Sequence, residues 1–454
     1  MARTRNILFF ANTTHNTQCV ADHIAAVQSN SSHNWFVVNS LNNRVTHKLD
    51  LSLFDAVGFH YSIRPRFSTC MTSMFNEHDS YYCSRELYEK VSKYKGVVFQ
   101  FLQDEYQRVN VASEAMVDLG VDVLFTIVRP EFHYEAYNHS ALKHMNRVTV
   151  MTGYAPEAME NANFVPIHNR MTDLFYRSRE VPYWLGSLGN EKAQIASEVI
   201  RRSAKYGLKV DISVREEDRI YGDNWVSRLS DCRATLGTES GASIWDRDGT
   251  IEQFVDEELG ENPDADFDEV FEKILKLHDG KLIYSGISPR VFEAAALKTP
   301  MIMFPGWYNG ILKPGVHYVE LEKDFSNFDA VINILRNDQL LEEIAENAYR
   351  DLIASGDYHG SKLGSLVSDT LEEAIAKKEF DCKATKTMAA QSVRRIHENY
   401  RLQNIILSCA SELRFAWGQF MKILSSPRSK GLRKLDRLAK GFRRYIAYLS
   451  PRIK

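Results

Sequence analysis

"SPRVFEAAALKTPMIMF", residues 288–304, reads as a helix, a stop and a strand. Ser288 can cap orphan N–H groups at a helix start, and Pro289 suits the first helical position. The apolar run that begins at Val291 stops at Lys298-Thr299-Pro300, and "PMIMF" (300–304) follows as a short buried strand. A helix feeding directly into an apolar strand is the repeating unit of a parallel α/β sheet. Glu293 breaks the apolar pattern about 6 Å into this helix, at about 1.5 Å per residue. With Gly286 ahead of the helix, Ser288 at its cap and Arg290 just inside, the tip offers N–H groups, a dipole and a guanidinium to a diphosphate. A carboxylate slightly deeper would then accept hydrogen bonds from ribose hydroxyls. The plainer alternative is a solvent-facing glutamate on a surface helix.

The same alternation runs through the chain. "RNILFF" (5–10) is a strand and "TQCVADHIAAVQS" (17–29) its helix. "WFVVNSL" (35–41), "AVGFHYS" (56–62), "GVVFQFL" (96–102), "DVLFTIV" (122–128) and "RVTVMT" (147–152) are further strands. A second unit opens with "DLFYRS" (173–178), a helix over 190–207 closed by Gly207, and "LKVDIS" (208–213). "RATLGTES" (233–240), "KLIYS" (281–285) and "PMIMF" are expected to continue its sheet. "DEELGENPDADFDEVFEK" (256–273) reads as an acidic surface excursion, and 327–356 and 365–380 as helices. The predicted class is α/β: two Rossmann-like doubly wound domains, 1–165 and 166–385, facing a cleft, with a helical extension over 386–454.

Composition narrows the class further. With 44% apolar and 25% charged residues in 454, the chain has ordinary globular usage. Its six cysteines form no Cys-x-x-Cys pair, which argues against a zinc site or disulfide framework and fits a reducing cytoplasm. The apolar run near the N-terminus is too short for a signal peptide, and no stretch reaches the length of a membrane span. The net charge of −3 is uneven: 421–454 holds eleven Lys/Arg and one Asp, +10, so the remainder carries −3 − 10 = −13. Leu432, Leu435, Leu438, Phe442, Tyr445, Ile446 and Leu449 fall on one helical face among basic residues. Residues 425–454 are therefore expected to lie on an anionic membrane surface, the alternative being a helix packed on the first domain. Nucleic acid is not an expected partner, because the body is acidic.

Two cofactor classes are excluded. The first strand runs into "ANTTHNTQ" (11–18), which contains none of the glycines that a dinucleotide fingerprint needs at that turn. No Gly-Lys-Ser/Thr phosphate loop is present either. "WDRDG" (245–249) supplies too few ligands for a calcium loop and reads as an acidic solvated loop.

The stretch "SPRVFEAAALKTPMIMF…GVHYVELEKD…INILRNDQLLEEIAENAYRDLIASGDYH", within 281–360, resembles the C-terminal half of GT-B glycosyltransferases, particularly the spore-maturation-protein (CgeB-like) group. The first half is more loosely similar to bacterial surface-carbohydrate glycosyltransferases, through "FDAVGFHYS" (54–62), "FLQDEY" (101–106), "TGYAPE" (152–157) and "YRSREVPYWLGSLGNEK" (176–192). The resemblance implies a nucleotide-sugar donor on the second domain, Glu293 on its ribose, and neither a cofactor nor an obligatory metal. Many retaining members carry a second glutamate eight residues before the first; here that position is Ser285.

Further candidates follow from strand ends. "LGTESGAS" (236–243) surrounds Glu239 with small residues, so Glu239, Ser240 and Gly241 can bring backbone close to a phosphate or sugar, or form a plain turn. Arg177, Arg179 and Lys192 flank the first strand–helix turn of the second domain, where the resemblance implies contact with the donor diphosphate. Each alone could equally be a solvated charge. Acid–base candidates lie at the C-terminal ends of the first domain's strands: Asp104, His15 and His60. The expected activity is transfer of a sugar to a hydroxyl of a surface glycan or lipid-linked acceptor at the cytoplasmic membrane face. A catalytically silent nucleotide-sugar-binding scaffold and a sugar-nucleotide epimerase are the alternatives.

Overall fold

The computed structural model of the protein describes residues 3–13, 18–39, 46, 48–63, 85–156, 159 and 164–398. His15 and the basic segment 425–454 lie outside the described residues.

Six strands form the first sheet: β1 (Asn6–Ala11), β2 (Asn34–Asn39), β3 (Ala56–Phe59), β4 (Val97–Phe101), β5 (Val123–Thr126) and β6 (Asn146–Thr149). All pair parallel, in the order β2-β1-β3-β4-β5-β6. The strands are continuous apolar runs because helices cover both faces; every residue of β1 is buried. Helix α1 (Gln18–Gln28) follows β1 and turns Val20, His23, Ile24 and Val27 inward.

The second half holds β7 (Thr172–Arg177), β8 (Val210–Ser213), β9 (Cys232–Gly237), β10 (Ser240–Ala242), β11 (Tyr284–Gly286), β12 (Met301–Met303) and β13 (Val319–Glu320). Five of them make a parallel sheet in the order β13-β12-β9-β7-β8. Both sheets thus place their first strand between the second and third. The strand order reverses there, which opens a crevice at the strands' C-terminal ends.

Two expectations are corrected. Residues 281–285 do not extend the second sheet: β11 pairs antiparallel with β10 in a separate ribbon. Gly241 permits this pairing. Its φ is +152°, and a Cβ there would lie 1.8 Å from the Tyr284 carbonyl oxygen. The acidic excursion is also more than surface. Within it Val270 joins a core shared with Tyr106, Val109, Met116 and Ile127 of the first half, and Leu259, Phe267 and Phe271 pack against that core. Within "WDRDG", Asp246 is buried rather than solvated, its carboxylate accepting from the N–H groups of Gly249 and Glu252, each at 2.9 Å. It caps the helix Thr250–Glu261, whose Glu252 pairs with Arg108 at 3.1 Å.

Helix α2 (Pro289–Ala296) precedes β12, and α3 (Gly360–Ala376) crosses back onto the first half. Leu363, Val367, Leu371 and Ile375 of α3 pack with Ile7, Phe9, Val27, Phe99 and Phe125. Arg5 pairs with Glu372 at 2.9 Å. Residues 386–398 continue this return, with Ala389, Val393 and Ile396 buried in the first half's core. Among the described residues, no helix is long and apolar enough to cross a membrane.

Candidate functional site

A pocket of about 240 Å³ opens at the reversal point of the second sheet. Its walls come from the ends of β7 and β9 and from the tip of α2. Ser288 caps α2, its hydroxyl accepting from the Arg290 N–H at 3.4 Å, and Pro289 occupies the first turn. Arg290 lies over the Trp225 ring, 4.8 Å from the centroid, and donates to the Arg177 carbonyl. Arg179 and Lys192 line the same space. Burial, then the charges of Arg179 and Arg290, pull the Lys192 amine down to about 8, with Asp104 opposing. Burial likewise lowers the Arg290 guanidinium, against Tyr176 and Glu293. Three cations converging in a partly desolvated pocket, beside hydroxyls of Ser178, Thr238 and Ser240, form a site for a multiply charged anion.

Glu293 stands on the far side of Trp225. The indole N–H donates to Glu293 Oε2 at 2.7 Å. Burial raises this carboxyl, while Trp225 and Arg290 hold it down and Asp22 raises it further. Glu293 lines a second cavity, about 380 Å³, bounded by α1 of the first half, residues 152–156 and Pro289. Glu293 therefore faces the gap between the two halves. Gly153 lets the segment 152–156 approach α2, for a Cβ there would lie 2.7 Å from Pro289.

Other candidates fall elsewhere. Arg177 is committed to the sheet: it pairs with Asp211 at 2.5 Å and donates to the carbonyls of Tyr176, Asp211 and Asp218. Only its carbonyl serves the pocket, through Arg290. Glu239 turns away from its neighbours Thr238 and Ser240. It is buried, accepts from the Tyr308 N–H at 3.2 Å and faces Arg129 of the first half at 3.7 Å. Gly241 and Gly286 serve the β10–β11 ribbon, which is why neither lines the pocket. Ser285 accepts from Arg129 at 2.6 Å.

On the first half, Asp104 follows β4 with φ of +61°, its N–H donating to the Tyr284 hydroxyl at 2.9 Å. Tyr106 bonds its carboxylate, and its charge reaches Lys192 across the gap. His60 is fully buried and offers no surface to a ligand. Arg219, Trp225 and His23 are the residues that sequence reasoning missed. Arg219 and Trp225 line the anion pocket, and His23 the interdomain cavity. "RIYGDNWVSR" (219–228), an aromatic among polar residues after a strand, is the available signal for the first two.

No protein-family model matches the sequence, and no curated protein does. Solved structures do. An alpha-glucosyltransferase in complex with UDP and a 13-mer DNA containing a central A:G mismatch is 10% identical, with 83% of this chain covering all of that one at a TM-score of 0.50. The chain has the GT-B fold. Anabaena HepE with UDP-glucose is similar at 10% identity and TM-score 0.44, over 81% of this chain and all of that one. TarM is similar at 12% identity and TM-score 0.37, over 73% of this chain and 57% of that one.

Proposed function

We propose that this GT-B protein is a glycosyltransferase that moves a sugar from a uridine diphosphate donor to an acceptor hydroxyl. The observation that carries this reading is the convergence of Arg179, Lys192 and Arg290 at the capped tip of α2. The uridine assignment is supported by the alpha-glucosyltransferase of similar fold, which was solved with UDP.

The chemistry follows from charge. The acceptor oxygen bonds to the anomeric carbon as the bond to the diphosphate oxygen breaks. The electron pair leaves with the diphosphate, where the three cations offset the growing charge. Asp104, opposite Lys192, receives the acceptor proton. The reaction needs no metal in this reading. Calorimetry with UDP, GDP, CDP and their sugar forms tests it: micromolar binding of one nucleotide, weakened at least tenfold by Arg290→Ala, is expected. No binding of any at millimolar concentration overturns it.

The acceptor we infer is a surface glycan or lipid-linked saccharide, presented at the inner membrane face to which the basic segment 425–454 would hold the enzyme. Sedimentation with anionic liposomes should fall at least fivefold on deleting 425–454; unchanged sedimentation removes that part. The acceptor panel includes duplex DNA, because the similar alpha-glucosyltransferase was solved with it.

A further inference from the structure

Asp104 and Glu105 are neighbours in the sequence with opposite surroundings: Asp104 is exposed beyond the end of β4, whereas Glu105 is buried. Glu105 Oε1 accepts from the Tyr137 hydroxyl at 2.8 Å and from the Thr126 hydroxyl in a short contact. Those two hydroxyl oxygens lie 2.7 Å from each other, and Thr126 already accepts from the Val128 N–H at 3.1 Å. Three oxygens in mutual contact need three hydrogens. Tyr137 and Thr126 supply two, so the third belongs to the carboxyl. Oε2 is sealed from solvent with no hydrogen-bond partner, and no cation pairs with Glu105 among the described residues. An ionised Glu105 would thus be an uncompensated buried charge, whereas a neutral acid leaves only one carbonyl oxygen bare. Burial raises this carboxyl; Thr126 and Tyr137 oppose that, and Asp104 adds to it.

Asp104 depends on what surrounds this acid. Its φ of +61° is disfavoured for a residue with a Cβ, so its place must be held from outside. Tyr284 of the second half accepts from its N–H at 2.9 Å, Tyr106 bonds its carboxylate, and the two rings meet edge to face at 5.0 Å. The hydroxyl ring clamps residue 105 to Thr126 at the end of β5 and to Tyr137, and with it the turn that carries Asp104. Asp104, Tyr106, Tyr137 and Tyr284 are the titratable groups that face Glu105. A charge on Glu105 would repel the Asp104 carboxylate and favour its protonated form.

We propose that Glu105 is a neutral carboxylic acid at physiological pH and the positioning residue of Asp104, fixing that carboxylate in place while leaving it the charged member of the pair. This rests on the glycosyltransferase reading above, in which Asp104 takes the acceptor proton. Glu105 meets no substrate and transfers no proton.

The test uses the full chain and begins without substrate. Infrared spectra at neutral pH should contain a protonated-carboxyl carbonyl band that moves on ¹³C-glutamate labelling and is lost in Glu105→Gln. Lysine NMR, with the Lys192 signal assigned from Lys192→Met, reads where Asp104 sits, because its charge opposes the lowering of that amine. The amine should titrate near its wild-type pH in E105Q and lower in Glu105→Ala, approaching its value in Asp104→Asn. Hydrolysis of UDP-glucose, with water as acceptor, should fall about tenfold in E105A and be largely recovered in E105Q, with UDP affinity within about twofold in both. An E105Q variant as impaired as E105A, or no band lost in E105Q, overturns the proposal, and so does wild-type behaviour of E105A. The infrared band and E105Q decide the matter where E105A fails to fold. If UDP does not bind, or Asp104→Asn hydrolyses UDP-glucose at the wild-type rate, the glycosyltransferase reading or its base falls instead.

Discussion

Trp225 holds Glu293 on the partition between two cavities: its indole N–H donates to Oε2 at 2.7 Å while its ring face carries the Arg290 guanidinium. One side chain thereby orients both the cation at the helix tip and the carboxylate beyond it. Trp225→Phe keeps much of the stacking face and removes the N–H. UDP affinity should drop about tenfold or more, since one hydrogen bond to a charged group is worth about 1.5–3 kcal/mol. Trp225→Ala should cost more, because Arg290 loses its platform. Calorimetric titration of both variants measures the difference.

Lys192 should impose a pH dependence on donor binding. Its amine is lowered to about 8 in the free protein, so it is charged below that pH and neutral above it. A bound diphosphate favours the charged form and raises the value. Affinity should therefore fall as pH rises through 8, and binding near pH 8 should take up protons. Calorimetry in two buffers of different ionisation enthalpy reads that uptake. Lys192→Met should bind more weakly and lose this part of the pH dependence.

Arg177 and Arg179 are two residues apart and should behave oppositely. Arg179→Ala should weaken UDP at least tenfold with little change in melting temperature. Arg177→Ala breaks a pair with Asp211 whose arginine side chain is only 14% exposed. It should destabilise the fold by about 1–3 kcal/mol and move UDP affinity less. Thermal melts beside titrations separate the two.

Gly364 of α3 packs against the C-terminal end of α1 and the Ser29 that follows it. A Cβ there would lie 1.8 Å from the Ser29 carbonyl oxygen, and backbone cannot rotate away as a side chain can. Gly364→Ala should cost about 1–3 kcal/mol or more and lower the melting temperature. UDP affinity of the folded fraction should be unchanged.

The architecture was legible because parallel sheets covered on both faces produce uninterrupted apolar runs such as "NILFFA" and "VVFQF", with helices between them. The start of α2 was legible too, since Ser288-Pro289 states its cap chemistry locally. Residues 281–285 misled because an apolar run does not say which sheet it joins; the deciding residue is Gly241, more than forty positions earlier. Asp246 misled because an aspartate that caps a buried helix start looks, in sequence, like one in a solvated loop. Arg177 and Arg179 look alike in the sequence, but Arg177 ends β7 and pairs within the sheet, whereas Arg179 lies beyond the strand and lines the pocket.

The return of α3 onto the first sheet has a consequence for biosynthesis. Leu363, Val367, Leu371 and Ile375 cover a sheet face whose strands end by Thr149. A ribosome must therefore polymerise some two hundred further residues before that face is shielded. The early sheet emerges with an oily flank open to water and waits for its lid, so nascent chains suit holding chaperones. A fragment cut at the connection between the halves would keep that flank bare.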